Sequence, residues 1–343
     1  MTNAYISGTG LYFPPRVVTN DDLRTQYGID TTHEWIVQRT GIEQRRYAEQ
    51  GIGSADLAVP AAEMAIERAG LKKEDLDMIL FATLSPEHRF PGSGVYLQQK
   101  MGFCDGPSAR FVPAMDIRNQ CSGFLYGLAT ASCMVKSGAA RHVLVVGAET
   151  HSAALDMSTR GRAVTTLFGD GAGAVVVSAT EEDRGIRNWK LGADGRFADV
   201  LALKVWDIRQ RPFIPVNEEG KGLVEPRELW PQMEGKTVFK NAIERMIGAL
   251  MEVCSEAGIV GTDIDFFLFH QANLRINQYL QQTLGIPDEK VIHNIQRYGN
   301  TTAATIPTLM HEALETGRLK RGMKVASVAF GSGFTWGAMI IDW

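Results

Sequence analysis

The sequence predicts an α/β protein made of two similar halves about a pseudo-twofold axis, with two packed sheets and buried helices between them. Three internal echoes predict it. Ala69-Gly70-Leu71, followed by the largely apolar run Asp75 to Phe81, returns as Ala257-Gly258-Ile259 followed by Asp263 to Phe269, with the same internal spacing. Ser137-Gly138 before the run at His142 returns as Thr316-Gly317 before Lys324 to Phe330, and the glycines at 169–173 have a counterpart in Gly331-Ser332-Gly333. A helix–strand–helix–strand unit used twice buries its apolar faces by stacking one copy on the other. The halves divide as 1–180 and 181–343.

In chain order, residues 4–12 read as a strand punctuated by Gly8 and Gly10, and Asn20-Asp21-Asp22-Leu23 starts a helix with acidic residues in its first turn. A helix from about Ser54 to Ala69 is closed by Gly70, and the strand Met78 to Leu84 leads through the loop Ser85 to Gly92 into another helix. After an extended segment, the turn-forming Arg118 to Gln120 precedes Cys121 and the small, apolar run Gly123 to Met134, which reads as a buried helix. His142 to Gly147 is a buried strand. Phe168-Gly169-Asp170-Gly171-Ala172-Gly173 then leads into the strand Ala174 to Val177. Because these glycines precede a strand, they are not a dinucleotide-binding turn; they permit two backbones to approach. Residues 195–235, with Arg209, Gln210, Arg211, Pro212, Pro215, Pro226 and Pro231, form a long surface excursion of the kind that covers a site.

Aligning Gly138 with Gly317 shifts the numbering by 179, and this shift carries Cys121 onto Asn300. Both are then expected to open the same helix in their respective halves. A cysteine at a helix N-terminus meets unpaired N–H groups and the positive end of the dipole, so its thiol pKa is expected to fall. The alternative is a small, inert core residue. His270 ends the apolar run Phe266 to Phe269, at the strand end where α/β proteins form sites. For Asn300 the competing account is a helix cap.

Bulk properties exclude several classes. With 343 residues, 45% hydrophobic and 22% charged, the chain suits two domain-sized units with large cores. A net charge of -4 does not provide the basic excess of a general nucleic-acid binder. No apolar run approaches the ~20 residues of a membrane span and no signal-peptide pattern opens the chain, so the expected location is the cytoplasm. Cys104, Cys121, Cys133 and Cys254 form no C-x-x-C and no zinc-ligand spacing, so neither a disulfide framework nor a metal is expected.

Taken together, four segments are more specific than any one residue. Asn119-Gln120-Cys121-Ser122-Gly123-Phe124, Phe269-His270-Gln271-Ala272-Asn273-Leu274-Arg275-Ile276, Gly299-Asn300-Thr301-Thr302-Ala303-Ala304 and Phe330-Gly331-Ser332-Gly333-Phe334-Thr335-Trp336-Gly337 resemble the motifs of β-ketoacyl-ACP synthase III, a decarboxylating condensing enzyme of the thiolase superfamily. The resemblance covers nearly the whole chain, including Asp170 to Gly173 and Glu34 to Arg39. It implies a duplicated thiolase-like αβαβα five-layer fold, a homodimer, acyl-CoA and malonyl-ACP as substrates, and no separate cofactor.

It also implies roles. Cys121 takes an acyl group from a thioester through a tetrahedral oxyanion, which backbone N–H donors of Cys121 and of the position matching Ser332 stabilise. Decarboxylation of malonyl thioester generates its own carbanion, so His270 and Asn300 act as neutral donors to the enolate oxygen rather than as a base. Trp35 and Arg39 match the indole and guanidinium that sandwich adenine. Arg162, Lys240 and Arg275 match basic positions near the phosphates or the carrier-protein docking surface, whereas Gln281 and Gln282 stand where relatives often carry Lys. Phe90 matches the position that shapes the end of the acyl pocket across the dimer interface, and its bulk points to a short or medium primer.

Rival readings keep the thiol chemistry with another acceptor, as in enzymes that join two acyl-CoA molecules or build secondary metabolites. A Claisen step without decarboxylation needs a base, for which only the loop residue Glu87 is a candidate. A non-catalytic acyl-CoA binder would have no use for Cys121, His270 and Asn300 together.

Overall fold

The computed structural model describes residues 2–205, 207, 209 and 229–343. The middle of the 195–235 excursion, with Gln210, Arg211, Pro212, Pro215 and Pro226, lies outside the described residues. The first half contains β1 (Asn3–Tyr12), β2 (Val17–Thr19), α1 (Asn20–Thr25), α2 (His33–Thr40), β3 (Gln44–Arg46), α3 (Ser54–Arg68), β4 (Met78–Ala82), α4 (Ser93–Lys100) and β5 (Ala114–Ile117). It continues with α5 (Gly123–Lys136), β6 (His142–Glu149), α6 (Arg162–Thr165) and β7 (Gly171–Thr180). The second contains β8 (Gly185–Ala193), β9 (Leu201–Ala202), β10 (Gln232–Met233), α7 (Gly235–Glu256), β11 (Phe266–Phe269), α8 (Leu274–Leu284), α9 (Ile295–Tyr298), α10 (Thr305–Glu315), β12 (Lys324–Gly331) and β13 (Thr335–Asp342).

The first sheet runs β1-β7-β6-β4-β5 and the second β8-β13-β12-β11. Each contains an equivalent parallel pair (β4 with β6, β11 with β12) followed by an antiparallel one (β6 with β7, β12 with β13). Where β5 lies in the first sheet, the second has a single parallel bridge from Phe267 to Val291. The repeated landmarks coincide as well: Gly70 and Gly258 close α3 and α7 at φ 68° and 67°.

Between the sheets lie α5 and α10, whose Phe124, Leu128, Ala131, Ile306, Leu309 and Met310 form one core with Val145, Val175 and Val325. An outer layer of α3 and α4 covers the first sheet through Leu57, Ala61, Ala65 and Leu97. On the second sheet, α7 and α8 present Ala242, Met246, Ala249, Leu250, Ile276 and Leu280, the 3–4 spacing of an amphipathic helix. This makes five layers. Small residues let the central layer sit close: a Cβ on Gly147 would stand 2.2 Å from the Ala303 carbonyl oxygen.

The glycines at 169–173 work as expected in one respect and differently in another. A Cβ on Gly169 would stand 2.3 Å from the Tyr298 carbonyl oxygen, so the approach of two backbones requires glycine there. However, β7 already begins at Gly171, earlier than the apolar run suggests. Similarly, β4 ends at Ala82, because Thr83, Leu84 and Ser85 turn to hydrogen-bond the Glu149 carboxylate.

The expected pairing of Cys121 with Asn300 is off by three residues. Gln120 and Thr302 are non-glycine residues in the left-handed region, at φ 48° and 49°, and each begins a 3-10 turn, Gln120–Ser122 and Thr302–Ala304. From Gln120 to Thr302 the offset is 182, as it is from Gly123 to Thr305 at the helix starts and from His142 to Lys324 at the strand starts. It is 179 only between Gly138 and Gly317, because α10 has 11 residues against 14 in α5 and the loop after it is three longer. Cys121 therefore corresponds to Ala303, and Asn300 precedes the turn.

Candidate active site

Cys121 sits in the 3-10 turn ahead of α5, not in the first turn of the helix itself. The end of β12 closes on it, since a Cβ on Gly331 would come within 2.9 Å of the Cys121 nitrogen; only glycine admits this contact. Thr335 fastens the following loop, bonding the Ser122 hydroxyl at 2.8 Å and the Ser332 carbonyl at 3.1 Å. Gly331 lines the cavity described below; Ser332 is half-buried behind it.

The thiol does not behave as the helix N-terminus alone would dictate. Burial pushes the Cys121 thiol up to about 12, with the Glu149 charge adding to it, while a hydrogen bond from Thr302 and one from its own backbone pull the other way. From 9.0 to about 12 is roughly 4 kcal/mol against the thiolate. A helix dipole supplies at most ~2 kcal/mol, so burial decides the resting state. Burial thus favours the thiol over the thiolate.

His270 follows β11, its N–H donating to the Val328 carbonyl at 2.9 Å. Its Nδ1 lies 2.6 Å from the Thr305 hydroxyl at the start of α10, and its Nε2 is buried without a hydrogen-bond partner. Leaving such a group unsatisfied costs about 1–3 kcal/mol, the kind of exception that marks a working atom. Burial lowers the ring pKa to about 3, so it is neutral at any ordinary pH.

Asn300 does not cap a helix as such. Its main chain is clamped between the Leu167 carbonyl (2.8 Å) and the Gly169 N–H (3.1 Å). Its Oδ1 accepts the Thr302 N–H at 2.8 Å, which fixes the amide orientation and supports the left-handed residue.

One cavity of about 740 Å³ takes in Cys121, His270 and Asn300 together with Trp35, Arg39 and Gly331. Its walls are mainly apolar, with Leu167, Phe168, Met233, Phe239 and Met246 among them. At Trp35, the Arg39 and Arg162 guanidiniums stand 4.3 Å and 4.7 Å from the ring centroid. The structure thus brings Arg162 to the same indole. Arg275 bonds the Val37 and Gln38 carbonyls at the end of α2 and also Gln278, a bracing role. Lys240 is exposed and outside the described cavity lining, whereas Lys236, one turn earlier on α7, lines it. Phe90 is 80% exposed and does not line this chain's own cavity. Gln281 is buried and bonds Asp288 and His293.

Sequence reasoning missed Lys236, the walls from Leu201 and Met233, and a polar cluster behind the thiol. In that cluster His151 Nε2 lies 2.5 Å from the Thr302 hydroxyl and 4.0 Å from Glu149 Oε2. The available signal was Glu149-Thr150-His151 at the end of an apolar strand, the same signal that singled out His270. Glu87, the candidate base, is committed elsewhere, to the Ala55 N–H and the Ser93 hydroxyl. Among the described residues no group of His, Cys, Asp and Glu is arranged to hold a metal.

The family described as 3-Oxoacyl-[acyl-carrier-protein (ACP)] synthase III matches residues 115–195, and its C-terminal counterpart matches residues 254–343. The beta-ketoacyl-[acyl-carrier-protein] synthase III 1 of Halalkalibacterium halodurans is 40% identical over 343 residues, spanning 100% of this chain and 99% of that one. The chain belongs to the β-ketoacyl-ACP synthase III family. Cys121 falls in the first matched stretch of this synthase III, and His270, Asn300 and Ser332 in the second. The crystal structure of the Aquifex aeolicus synthase III superposes with a TM-score of 0.86 at 39% identity, covering 99% of this chain and 100% of that one. The priming β-ketosynthase of the R1128 polyketide pathway gives 0.86 at 30% identity, over 99% and 96%. The five-layer thiolase-like fold expected of a synthase III is the fold observed, and the chain is an acyltransferase of the condensing type.

Proposed function

We propose that this synthase III transfers an acyl group from acyl-CoA to Cys121 and joins it to malonyl-ACP with loss of CO2, giving a β-ketoacyl-ACP that initiates fatty-acid synthesis. The observation that carries this reading is the single cavity shared by Cys121, the unpartnered Nε2 of His270 and Asn300. In the first half-reaction the sulfur attacks the thioester carbonyl, the oxyanion meets the N–H groups of Cys121 and Ser332, and CoA leaves. In the second, the malonyl carboxylate departs as CO2 and the carbanion attacks the acyl-Cys carbonyl, freeing the sulfur. The enolate oxygen is met by His270 and Asn300. The Thr305 hydroxyl has one proton and two acceptors in reach, the Thr302 carbonyl at 3.0 Å and Nδ1 at 2.6 Å. Donation to the nearer places the ring proton on Nε2, where it serves as a donor.

Trp35 and Arg39 sandwich the CoA adenine, Arg162 at the same indole serves the phosphates or the carrier protein, and Lys236 and Lys240, four apart on α7, do the same. The chain acts as a cytoplasmic homodimer: β5 is an edge strand, and Phe90, Phe111 and Met115 near it are exposed in the single chain. Across that interface Phe90 closes the partner's acyl pocket. A polyketide-type role for the product is favoured only by the 30% likeness to the R1128 priming enzyme.

Intact-protein mass spectrometry after exposure to a panel of acyl-CoAs, then malonyl-ACP or malonyl-CoA, tests the proposal. The expected result is one acyl mass on Cys121, absent in Cys121→Ala and discharged by malonyl-ACP only. No adduct with any acyl-CoA would overturn it, and discharge by malonyl-CoA alone would replace the acceptor.

A further inference from the structure

Asn300 can serve an enolate oxygen only through its NH2 group, so whatever sets the roll of its amide decides its use. The Thr302 N–H meets that amide at 2.8 Å, and because an N–H can face only an acceptor, the atom there is Oδ1 and the NH2 is left for the cavity. The contact exists because Thr302 has φ 49°, where a β-branched residue is strained and stays only when its surroundings hold it. Thr302 is fully buried, and the group that holds its side chain is His151, whose Nε2 lies 2.5 Å from the hydroxyl. We propose that His151 and Thr302 form a positioning pair for condensation, holding the Asn300 amide with its NH2 group toward the enolate oxygen.

This role rests on Asn300 acting as a donor to the enolate. His151 reaches both sides of that residue. It follows β6 in a short 3-10 turn, His151–Ala154, and packs against the Phe168 ring at 4.6 Å. Phe168 lies between Leu167 and Gly169, which clamp the Asn300 main chain, and itself bridges Asn300 in parallel. One imidazole thus braces the main chain of Asn300 through Phe168 and its amide through Thr302. The turn that carries the ring is fixed in its own right, since the N–H and hydroxyl of Ser152 bond the Asp170 carboxylate at 2.9 and 2.5 Å.

The same turn reaches the second donor. The Thr302 carbonyl lies 3.0 Å from the Thr305 hydroxyl, which orients His270 through Nδ1 at 2.6 Å. Burial lowers the His151 ring to about 3, so it stays neutral at any ordinary pH and serves as a fixed prop, not as a base. With the hydroxyl contact removed, Thr302 is free to leave the left-handed region, its N–H turns away from Oδ1, and the amide loses its aim. His151 and Thr302 act through Asn300 and are positioning residues.

Condensation of a preformed acyl-enzyme with malonyl-ACP, timed in a single turnover beside the acylation of Cys121 by acyl-CoA, tests the pair. Thr302→Val and His151→Leu are expected to slow condensation about tenfold or more, the size of one lost buried hydrogen bond, and acylation by less than about threefold. Thr302→Ser and His151→Gln, which keep a hydroxyl and a polar side-chain end, should restore most of the rate. In an Asn300→Ala background, Thr302→Val is expected to add nothing further, because the residue it positions is gone. Equal slowing of both half-reactions, unchanged condensation in Thr302→Val, or a full second loss in the double variant would overturn the pair. Should His151→Leu fail to fold, the Thr302 series decides alone. Unimpaired condensation in Asn300→Ala would remove the donor role and the pair with it, whereas an impaired Asn300→Ala beside an unaffected Thr302→Val sinks only the pair.

Discussion

Thr305 Oγ1 lies 2.6 Å from Nδ1 of His270, on the opposite side of the ring from the unpartnered Nε2. The contact sets which nitrogen carries the proton, so His270 and Thr305 should fail in the same half-reaction. His270→Ala is expected to lower condensation by ~10²–10³ while acylation of Cys121 stays measurable. Thr305→Val should show a smaller loss of the same kind. Single-turnover assays that separate the acyl-enzyme from the β-keto product check this; unimpaired condensation in His270→Ala would remove the assigned role.

Asn300 serves the cavity with its amide and the Thr302 N–H with its Oδ1. Asn300→Ala should slow condensation by ~10² and lower stability by about 1 kcal/mol through the orphaned N–H. Asn300→Asp, though closer in shape, should be slower still, because a carboxylate repels the developing enolate. Parallel rate and melting measurements on both variants decide it.

Burial depresses the His270 ring to about 3 and raises Glu149 to about 7, and these act on stability with opposite signs. For His270 the unfolded chain binds the extra proton between about 3 and 6.5, so its share is full above 6.5 and lost as pH falls. For Glu149 the folded chain binds it, so its share is full below 4.5 and lost as pH rises through about 7. The two oppose each other between 4.5 and 6.5. Glu149→Gln should therefore unmask a steeper loss of thermal stability below pH 6.5, and a melting series with no change of slope would count against it.

Gly147→Ala should place a methyl against the Ala303 carbonyl, 2.2 Å from its oxygen, and displace the turn that carries Thr302. A loss of ~1–3 kcal/mol is expected together with a fall in condensation. Gly248→Ala, on the exposed face of α7 with nothing within 4 Å, should instead gain roughly 0.5–1 kcal/mol. Denaturant midpoints of the pair separate crowding from mere loss of glycine.

Trp35→Ala should raise KM for acyl-CoA by about tenfold, the size of a lost ring contact, while leaving turnover with an acyl-pantetheine donor intact, since adenine contacts are shared by ground and transition states. An equal loss with both donors would move Trp35 from the nucleotide to the reacting end.

Much of this was legible in local pattern. The apolar runs at 78–82 and 266–269 and the glycines ending α3 and α7 depend on neighbours in sequence, so the duplication could be read directly. Cys121 and His270 were legible because each sits where a strand or turn gives way to a helix. What could not be read was distance-dependent. The three-residue offset of Asn300 arises from a shorter α10 compensated by a longer loop, and the glycine used as a marker sits inside the compensated stretch. The raised thiol pKa depends on burial by both halves, which outweighs the local helix end. The contact of His151 with Thr302 spans 151 positions, and nothing near either residue announces it.

The turns begun by Gln120 and Thr302 share one backbone geometry but carry unlike chemistry, a sulfur on one side and a hydroxyl on the other. In a pair of identical chains about a true twofold, every substitution appears on both sides at once, so a nucleophile gained on one turn displaces a donor on the other. Having both turns in one polypeptide removes that constraint. Each can be altered singly, and unlike side chains on the two turns become heritable within one chain.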